Sequence, residues 1–526
     1  MRIIFTVAIL LCVAFSFVEA NAPVMPFENA EGGNVSAAFS GQIDSFVFGK
    51  LKQMAIQPAN QCSDAVFIRR VYLDVTGTLP RADEVVKFLE DKNPGKRKVL
   101  IDCLLARDEF ADYLGMKWCD LLRVKSEFPV NLWPEATQAY DHWIRDSIRR
   151  NVPYSLFAWE ILTASGSNFR VPQVNFYRSA GSKEPKAIAR AVALTFMGER
   201  TEHWPKAKLD AMAAFFSKIG FKSTNEWKEE IVFGNGIAGD IQPPATGILP
   251  DGTSMQIPCD RDPREIFAQW LIFSKNSPFA RNAVNRTWYL LFGRGIIEEP
   301  DDSRPDNPPS NPELLAWLAR ELVSSNYDIK HIYRLILNSG AYQLSCISAM
   351  RSPAAEANFA FHSMRPLDAE VLIDALDQIT GATEEYSSMV PEPYTFLPGD
   401  RRSILLPDGS IGSAFLDLFG RPPRDTGLLS ERRSHLTAAQ RLHLLNSSHV
   451  QSKLTKSEPL KKIIRANNPS ADIVKQLYLT ILSRYPTEDE LKAINTYSQS
   501  AEAKGPTAML DVAWSLINSA EFLYQH

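Results

Sequence analysis

The sequence has no excess of charge of either sign. Its 57 lysines and arginines are balanced by 61 aspartates and glutamates, which leaves a formal net charge of −4 over 526 residues. Proteins that bind nucleic acid normally present a basic surface, so nucleic acid is not an expected partner. After the first 20 residues the chain also lacks an apolar run of membrane-spanning length. We therefore expect that the mature chain is not an integral membrane protein.

Cysteine is scarce. One of the six cysteines lies in the apolar N-terminal stretch, and the other five form neither a Cys-x-x-Cys pair nor a zinc pattern. An odd number leaves at least one thiol outside any intrachain disulfide. For the others, disulfides and buried thiols remain equally open, and the apolar neighbours of Cys103 and Cys119 are compatible with simple burial.

The N-terminus has the pattern of an export signal. Arg2 precedes an apolar stretch from Ile3 to Val18, and Val18-Glu19-Ala20 resembles a signal-peptidase site. We predict a signal peptide over residues 1–20, a flexible lead over 21–38, and a protein located in the periplasm or on the cell surface. The alternative is an uncleaved membrane anchor, which the short apolar run disfavours.

Hydrophobic periodicity predicts a mainly α protein. Apolar residues recur at helical spacing through residues 39–221 and again through 259–526. Residues 222–258 differ, because short β-branched runs there flank the turn at Asp251-Gly252. The predicted architecture is two helical domains joined by a small β-containing insert.

The stretch from Asp262 to Ser345 organises the second helical domain. It contains four predicted helices, with start signals at Asp262, Ser277, Ser310 and Asp328. The loop between the second and third helices is long and rich in charge and proline. Such a loop is either a binding site or a rigid connector.

Arginine, asparagine and aspartate side chains of this stretch suggest a ligand site. Arginine offers paired donors, and asparagine offers both a donor and an acceptor, as an anionic or sugar ligand requires. The alternative, which we favour, is that these groups hold in place the loop between the second and third helices. We call this loop, Gly295 to Pro309, the acidic loop. Two arginines around Pro422-Pro423 are expected to form the third side of the same unit. The candidate ligand-binding residues are Arg281, Asn285, Arg286, Asp301, Asp302, Arg304, Arg421 and Arg424.

Metal binding and catalysis have weaker support. Asp301, Asp302, Asp306 and Asn307 could supply oxygen ligands to calcium, but their spacing matches no known loop pattern. The same aspartates could form the carboxylate pair of a hydrolase. The chain has no nucleophile elbow and no phosphate loop, and its clustered histidines do not share one helix face. We assign no catalytic residue and predict no metal.

Many ordered motifs resemble those of a known pair of domains. The pair is the planctomycete-type tandem of DUF1549, a cytochrome-like domain, and DUF1553. The resemblance implies an exported, largely helical protein, in a family without a settled biochemical role. The motifs are Arg69-Arg70-Val-Tyr-Leu-Asp74, Trp118-Cys-Asp-Leu-Leu-Arg123, Asn175-Phe-Tyr-Arg178, Asn285-Arg286-Thr-Trp288, Asn307-Pro-Pro-Ser-Asn-Pro-Glu-Leu-Leu315, Arg365-Pro-Leu-Asp-Ala-Glu370 and Phe419-Gly-Arg-Pro-Pro-Arg424.

The cytochrome-like label implies c-type haem, and here the sequence departs from the family. Many members carry a Cys-x-x-Cys-His motif after a helix end that corresponds to Phe196-Met-Gly-Glu-Arg200. In this chain Thr201-Glu-His203-Trp-Pro205 follows, with no cysteine. Covalent haem needs two thiols and an axial histidine. We therefore predict a member without haem and without any other cofactor.

Three functional hypotheses follow from these observations. The preferred one is a periplasmic or cell-surface binding and scaffolding protein, because structural motifs abound and no complete catalytic motif is present. The first alternative is an exported hydrolase that acts on polysaccharide, and the second is a c-type cytochrome-like redox protein. The partner is left unassigned, with a glycan or another cell-surface molecule as the candidate class.

Overall fold

The fold is described by a computed structural model that covers residues 41–234, 245–275, 277–395, 397, 399–432, 435–466, 469–500 and 506–526. The predicted signal peptide and the whole of the predicted flexible lead lie outside the described residues. Within them the protein is mainly α, as predicted.

Ten α-helices are described in the part of the chain before residue 222. They are α1 (Gln42–Gln53), α2 (Asp64–Thr76), α3 (Ala82–Glu90), α4 (Lys96–Leu105), α5 (Asp108–Leu121), α6 (Pro134–Arg149), α7 (Tyr154–Thr163), α8 (Asn175–Arg178), α9 (Pro185–Val192) and α10 (Lys206–Ala213).

The helices of the second half begin with the four that were predicted between Asp262 and Ser345. The set comprises α11 (Pro263–Phe273), α12 (Phe279–Phe292), α13 (Pro312–Ser324), α14 (Ile329–Leu337), α15 (Pro353–Ala357), α16 (Ala369–Thr380), α17 (Ala414–Phe419), α18 (Ala438–Asn446), α19 (Ser448–Lys456), α20 (Glu458–Ile464), α21 (Ser470–Ile481), α22 (Glu488–Ser498), α23 (Pro506–Ile517) and α24 (Ala520–Leu523).

Two of the four predicted start signals act as N-caps, whereas the helix predicted to start at Ser277-Pro278 has Pro278 at the N-cap position. The side chains of Asp262 and Asp328 accept hydrogen bonds from the backbone N–H groups of Arg264 and His331. The start predicted at Ser310 is wrong by one residue. Asn311 is the N-cap of α13, because its side-chain oxygen reaches the Leu314 N–H at 3.1 Å.

The β structure is small and antiparallel. Strands β2 (Gly220–Ser223) and β3 (Glu230–Phe233) pair with each other, and β1 (Gly166–Ser167) pairs with the other edge of β3. A hairpin of β4 (Ala245–Ile248) and β5 (Ser254–Ile257) turns at Asp251-Gly252, as predicted. The three-stranded sheet thus recruits residues that lie before the predicted insert.

A last pair of strands joins distant parts of the chain. Strand β6 (Arg365–Pro366) pairs with β7 (Tyr524–Gln525), with Arg365 opposite Gln525. The Arg365 side chain also donates to the side-chain oxygen of Gln525 at 2.9 Å. This pairing ties the last described residues to the segment that precedes α16.

Two apolar cores fill the protein. The first is built mainly from residues between Ile43 and Ala360, with Leu479 added, and the second mainly from residues between Leu367 and Leu523. Leu73, Leu79 and Met116 of the first half pack into the second core. The cores therefore divide near residues 361–366, whereas the division at 222–258 stays a prediction about sequence domains.

No disulfide joins the five cysteines of the described chain. Cys119 is buried, as its apolar neighbours suggested, and its thiol donates to Asp141 at 3.3 Å. The suggested burial of Cys103 is wrong, because Cys103 is exposed. Its apolar neighbours Ile101, Leu104 and Leu105 point inward from the other face of α4.

Candidate functional site

Helix α12 carries the first candidate residues toward the interior. Its C-terminal half packs Trp288 and Phe292 in a stack, with ring centroids 4.2 Å apart. Asn285 lies one turn earlier, and its side chain holds both backbone groups of Ile297, at 3.1 Å to the carbonyl and 2.9 Å to the N–H. Asn285 thereby fixes the start of the acidic loop to α12.

Arg286 and Asp301 form a buried ion pair. The guanidinium donates to Asp301 at 2.7 Å, to the Leu194 carbonyl at 2.7 Å and to the Thr195 carbonyl. Asp301 is fully buried, and its second oxygen accepts from the backbone N–H of Leu429 at 2.6 Å. The structure therefore brings Arg286 and Asp301 together and uses both to join three segments of chain.

The remaining candidates of this stretch lie at the surface. Arg304 is exposed and makes ion pairs with Asp302 at 3.2 Å and with Asp306 at 3.5 Å. Asn307 donates to the Asp302 carbonyl at 2.9 Å, which closes the turn. Arg281 is exposed on α12. These residues do not converge with the Arg286–Asp301 pair on one site.

Arg421 and Arg424 were expected beside Asp301, and that expectation is wrong. In the described part of the chain, no hydrogen bond or ion pair joins either arginine to Asp301. Arg424 is fully buried and donates to Asp120 at 2.9 Å, while Arg421 lies 3.6 Å from Glu370. Their partners are carboxylates of α5 and α16, and the backbone N–H of Leu429 links the segment that follows Arg424 to Asp301.

The centre of this region is a residue that sequence reasoning missed, Arg432. Its guanidinium lies 2.6 Å from Asp120, 2.6 Å from Glu370 and 3.3 Å from Asp368. Lys117 makes a further ion pair with Asp368 at 2.5 Å. We call the set formed by Lys117, Asp120, Asp368, Glu370, Arg421, Arg424 and Arg432 the buried ion network.

The network holds Asp120 and Asp368 in the ionised form, because neighbouring cations lower the pKa of both. Burial alone would raise the pKa of Asp368, but Arg432 and Lys117 outweigh it and keep that pKa far below its usual range. Burial likewise opposes ionisation of Asp120, and Arg432 and Arg424 again keep the pKa low. The motifs that carry the family resemblance contain Asp120, Asp368 and Glu370. These motifs were the sequence signal from which the network could have been predicted.

The space beside these charges is small. A cavity of about 30 Å³ is lined by Lys117, Arg286, Tyr154, Tyr333 and Leu429 together with apolar side chains. That volume accommodates one or two water molecules. A sugar ring or a longer ligand does not fit between Arg286 and the network.

The described residues contain no group of three or more His, Cys, Asp or Glu side chains arranged to hold a metal ion. The calcium alternative required Asp301, Asp302 and Asp306 to converge. Instead Asp301 faces Arg286, and the other two face Arg304.

The stretch that follows Arg200 does not fit covalent haem. His203 is exposed and has no cysteine in the same stretch. Trp204 donates to Glu199 at 3.0 Å, and the Lys208 ammonium lies 3.8 Å from the centre of its ring. These contacts stabilise the turn through neighbouring side chains. The turn contains no cysteine that could form a thioether with a haem vinyl group.

Two family models match the chain in tandem. The model described as PSCyt2, a protein of unknown function (DUF1549), matches residues 42–214. The model described as PSD1, a protein of unknown function (DUF1553), matches residues 263–498. The chain is a tandem DUF1549–DUF1553 protein. No curated protein and no solved structure matches it.

In this DUF1549–DUF1553 protein the described helices include none with both the length and the apolar composition to span a bilayer. The buried ion network draws its residues from both family matches. Lys117 and Asp120 lie in the first, and Asp368, Glu370 and Arg432 lie in the second. The network is therefore one of the polar contacts between the two matched regions, beside others such as the ion pair of Asp74 with Arg365.

Proposed function

We propose that this protein is an exported binding and scaffolding protein that carries neither a catalytic centre nor haem. The observation behind the proposal is that the buried candidate residues are hydrogen-bonded or ion-paired to other groups of the protein. Asp301 and Arg424 are fully buried and hydrogen-bonded, and Asn285 is occupied by backbone groups. Residues of this kind stabilise a framework.

The hydrolase alternative has less support. An acid or base that acts on a polysaccharide must come within hydrogen-bond distance of the substrate. Asp302 and Asp306 of the acidic loop pair with Arg304, and the cavity at Arg286 admits only water. The redox alternative lacks the Cys-x-x-Cys-His motif that covalent haem requires.

The binding proposal is tested by a thermal-shift screen of the purified protein against polysaccharides and divalent metals, with product analysis on the same samples. A ligand that binds only the native state raises the melting temperature. We expect at least one polysaccharide to do so without release of new reducing ends. Reducing ends that disappear in a correctly folded Asp301→Asn variant would establish the hydrolase instead.

Export is tested separately by cell fractionation and N-terminal sequencing of the native protein. We expect the protein in the periplasmic or surface fraction, with a mature N-terminus near Asn21. Retention in the cytoplasm with an intact Met1 would contradict the proposed location.

A further inference from the structure

Three aromatic rings from distant segments meet at the surface. The ring centroid of Trp227 lies 4.7 Å from that of Trp133 and 5.2 Å from that of Tyr394, and Trp133 lies 5.9 Å from Tyr394. Trp227 is 57% exposed and Tyr394 is 45% exposed. We call these three residues the aromatic cluster. Exposed rings gathered in this way are typical of interaction surfaces.

An uncompensated cation accompanies the rings. The Lys228 ammonium lies 5.1 Å from the Trp133 centroid and 5.7 Å from the Trp227 centroid. In the described part of the chain, no carboxylate lies within ion-pair distance of Lys228. The indole N–H of Trp133 is also buried without a hydrogen-bond partner among the described residues. The surface thus combines exposed ring faces with the Lys228 ammonium.

The frame beneath the cluster is fixed by buried polar contacts. Arg178 donates to the Leu132 carbonyl at 3.1 Å and to Glu230 at 3.2 Å, so it joins the Trp133 segment to strand β3. The fully buried Asn168 donates to the Lys228 carbonyl at 3.2 Å. A surface held in place before a ligand arrives loses little entropy on binding.

The backbone at the cluster adopts sparsely populated angles. Trp133 has φ 76° and Lys228 has φ 62°, although neither is glycine. A bulky residue at positive φ is a strained conformation that the surrounding structure must impose. Such strain gathers at functional sites, and here two strained residues contribute a ring and a charge to one surface.

We propose that the aromatic cluster binds a polysaccharide chain that bears carboxylate or sulfate groups. This assignment rests on the proposed binding function and adds its site and ligand class. The C–H faces of a sugar ring pack on the exposed faces of Trp227 and Tyr394. An acidic substituent pairs with Lys228, which has no ion-pair partner among the residues that the structure describes.

A membrane surface fits the cluster less well. The turn that carries Trp227 also carries Glu226, which makes an exposed ion pair with Arg170 at 3.6 Å. This pair stays hydrated beside a polysaccharide, whereas it would lose water in an acyl layer at a large cost. An acidic protein segment is another possible ligand, but it lacks the sugar-ring faces that pack on Trp227 and Tyr394. Poly-glutamate represents this ligand in the test.

The test measures binding of two probes, polygalacturonate for carboxylates and dextran sulfate for sulfates, with dextran as the neutral control. We expect the unmodified protein to bind at least one acidic probe. Trp227→Ala should weaken that binding at least tenfold. Lys228→Gln should weaken it several-fold and reduce its dependence on salt. Phe273→Ala is the matched control, because Phe273 is 67% exposed and lies outside the cluster.

Circular dichroism confirms that each variant is folded before its affinity is compared. The inference is overturned if neither acidic probe binds, if Trp227→Ala binds as tightly as Phe273→Ala, or if poly-glutamate or anionic vesicles bind as tightly as the acidic polysaccharides. Reducing ends measured in the same samples keep the two proposals apart. Cleavage of a probe would overturn the non-catalytic function, whereas binding of poly-glutamate alone would overturn only the ligand assignment.

Discussion

The buried ion network and the aromatic cluster are opposite ways of using polar and aromatic residues. In the network, Arg432 reaches three carboxylates within 3.3 Å, and Arg424 is fully buried. In the cluster, Lys228 has no carboxylate within ion-pair distance in the described chain, and Trp227 is 57% exposed. The charged groups of the network are paired with one another, whereas the cluster exposes aromatic faces and the Lys228 ammonium to solvent.

The comparison shows that density of charge along a sequence is a poor sign of a ligand site. Charged residues that find one another become buried and structural, and breaking one such pair leaves an uncompensated buried charge. A ligand site needs exposed groups whose partners are missing. By that criterion the residues around Trp227 are better candidates than those around Asp301.

The largest effect is expected when the buried ion pair of Arg286 and Asp301 is broken. Asp301→Ala removes the partner of Arg286 and the acceptor of the Leu429 N–H. We expect the free energy of unfolding to fall by about 3–5 kcal/mol, because Arg286 stays buried without its counter-charge. Chemical denaturation measures this change. A loss below about 1 kcal/mol would contradict the structural role of the pair.

A second prediction contrasts two carboxylates, Asp374 in helix α16 and Asp368 at the N-cap of the same helix. Burial raises the pKa of Asp374 to about 6, against the opposing effects of Arg402 and the Ser403 N–H. Because the folded state then holds a proton that the unfolded state has released, Asp374 costs stability as the pH rises from about 4 to about 6. The shift corresponds to about 2–3 kcal/mol.

This contrast is measured by urea denaturation of the unmodified protein and of Asp374→Asn between pH 4 and 7. The stability of the unmodified protein relative to the variant should fall across that window. Asp368 has the opposite sign, because its pKa is lowered. Its contribution is present above pH 4 and is lost as the pH falls further. Parallel pH profiles for the unmodified protein and Asp374→Asn would contradict the assignment.

A smaller effect is expected at Asn285. Its replacement by alanine leaves the N–H and carbonyl of Ile297 without their partners. The free energy of unfolding should fall by about 1–3 kcal/mol, the cost of unsatisfied buried polar groups. Asn307→Ala, which removes a hydrogen bond from the partly exposed turn, is the comparison and should cost less.

The helices were largely predictable because their signals are local. Asp262 and Asp328 cap helices as their sequence context indicates, and the period of apolar residues fixes the buried faces. The pairing of Arg365 with Gln525 was not predictable, since contacts between residues far apart in sequence leave no local pattern. The recruitment of Gly166 into the sheet escaped prediction for the same reason.

The candidate site was predicted in part. The pair of Arg286 with the acidic loop followed from their closeness in sequence. Arg432 was missed because it lies outside any helix and its partners are on α5 and α16. The aromatic cluster was missed as well, because Trp133, Trp227 and Tyr394 come from three separate segments and show no shared period.

The smallest effects are expected at exposed positions. Arg304→Ala removes ion pairs that are screened by solvent, and the free energy of unfolding should change by no more than about 1 kcal/mol. A loss as large as that of Asp301→Ala would mean that the ion pairs of Arg304 stabilise the fold as much as the buried Arg286–Asp301 pair does.

The most direct measurement compares polysaccharide binding by two folded variants, Asp301→Asn and Trp227→Ala, by calorimetric titration. The probe is whichever of polygalacturonate and dextran sulfate the unmodified protein binds more tightly. Asp301→Asn should be less stable but keep its affinity within about twofold, whereas Trp227→Ala should lose at least tenfold, about 1.4 kcal/mol of binding free energy. The reverse result, with affinity lost in Asp301→Asn and kept in Trp227→Ala, would contradict the division into a structural network and a binding surface.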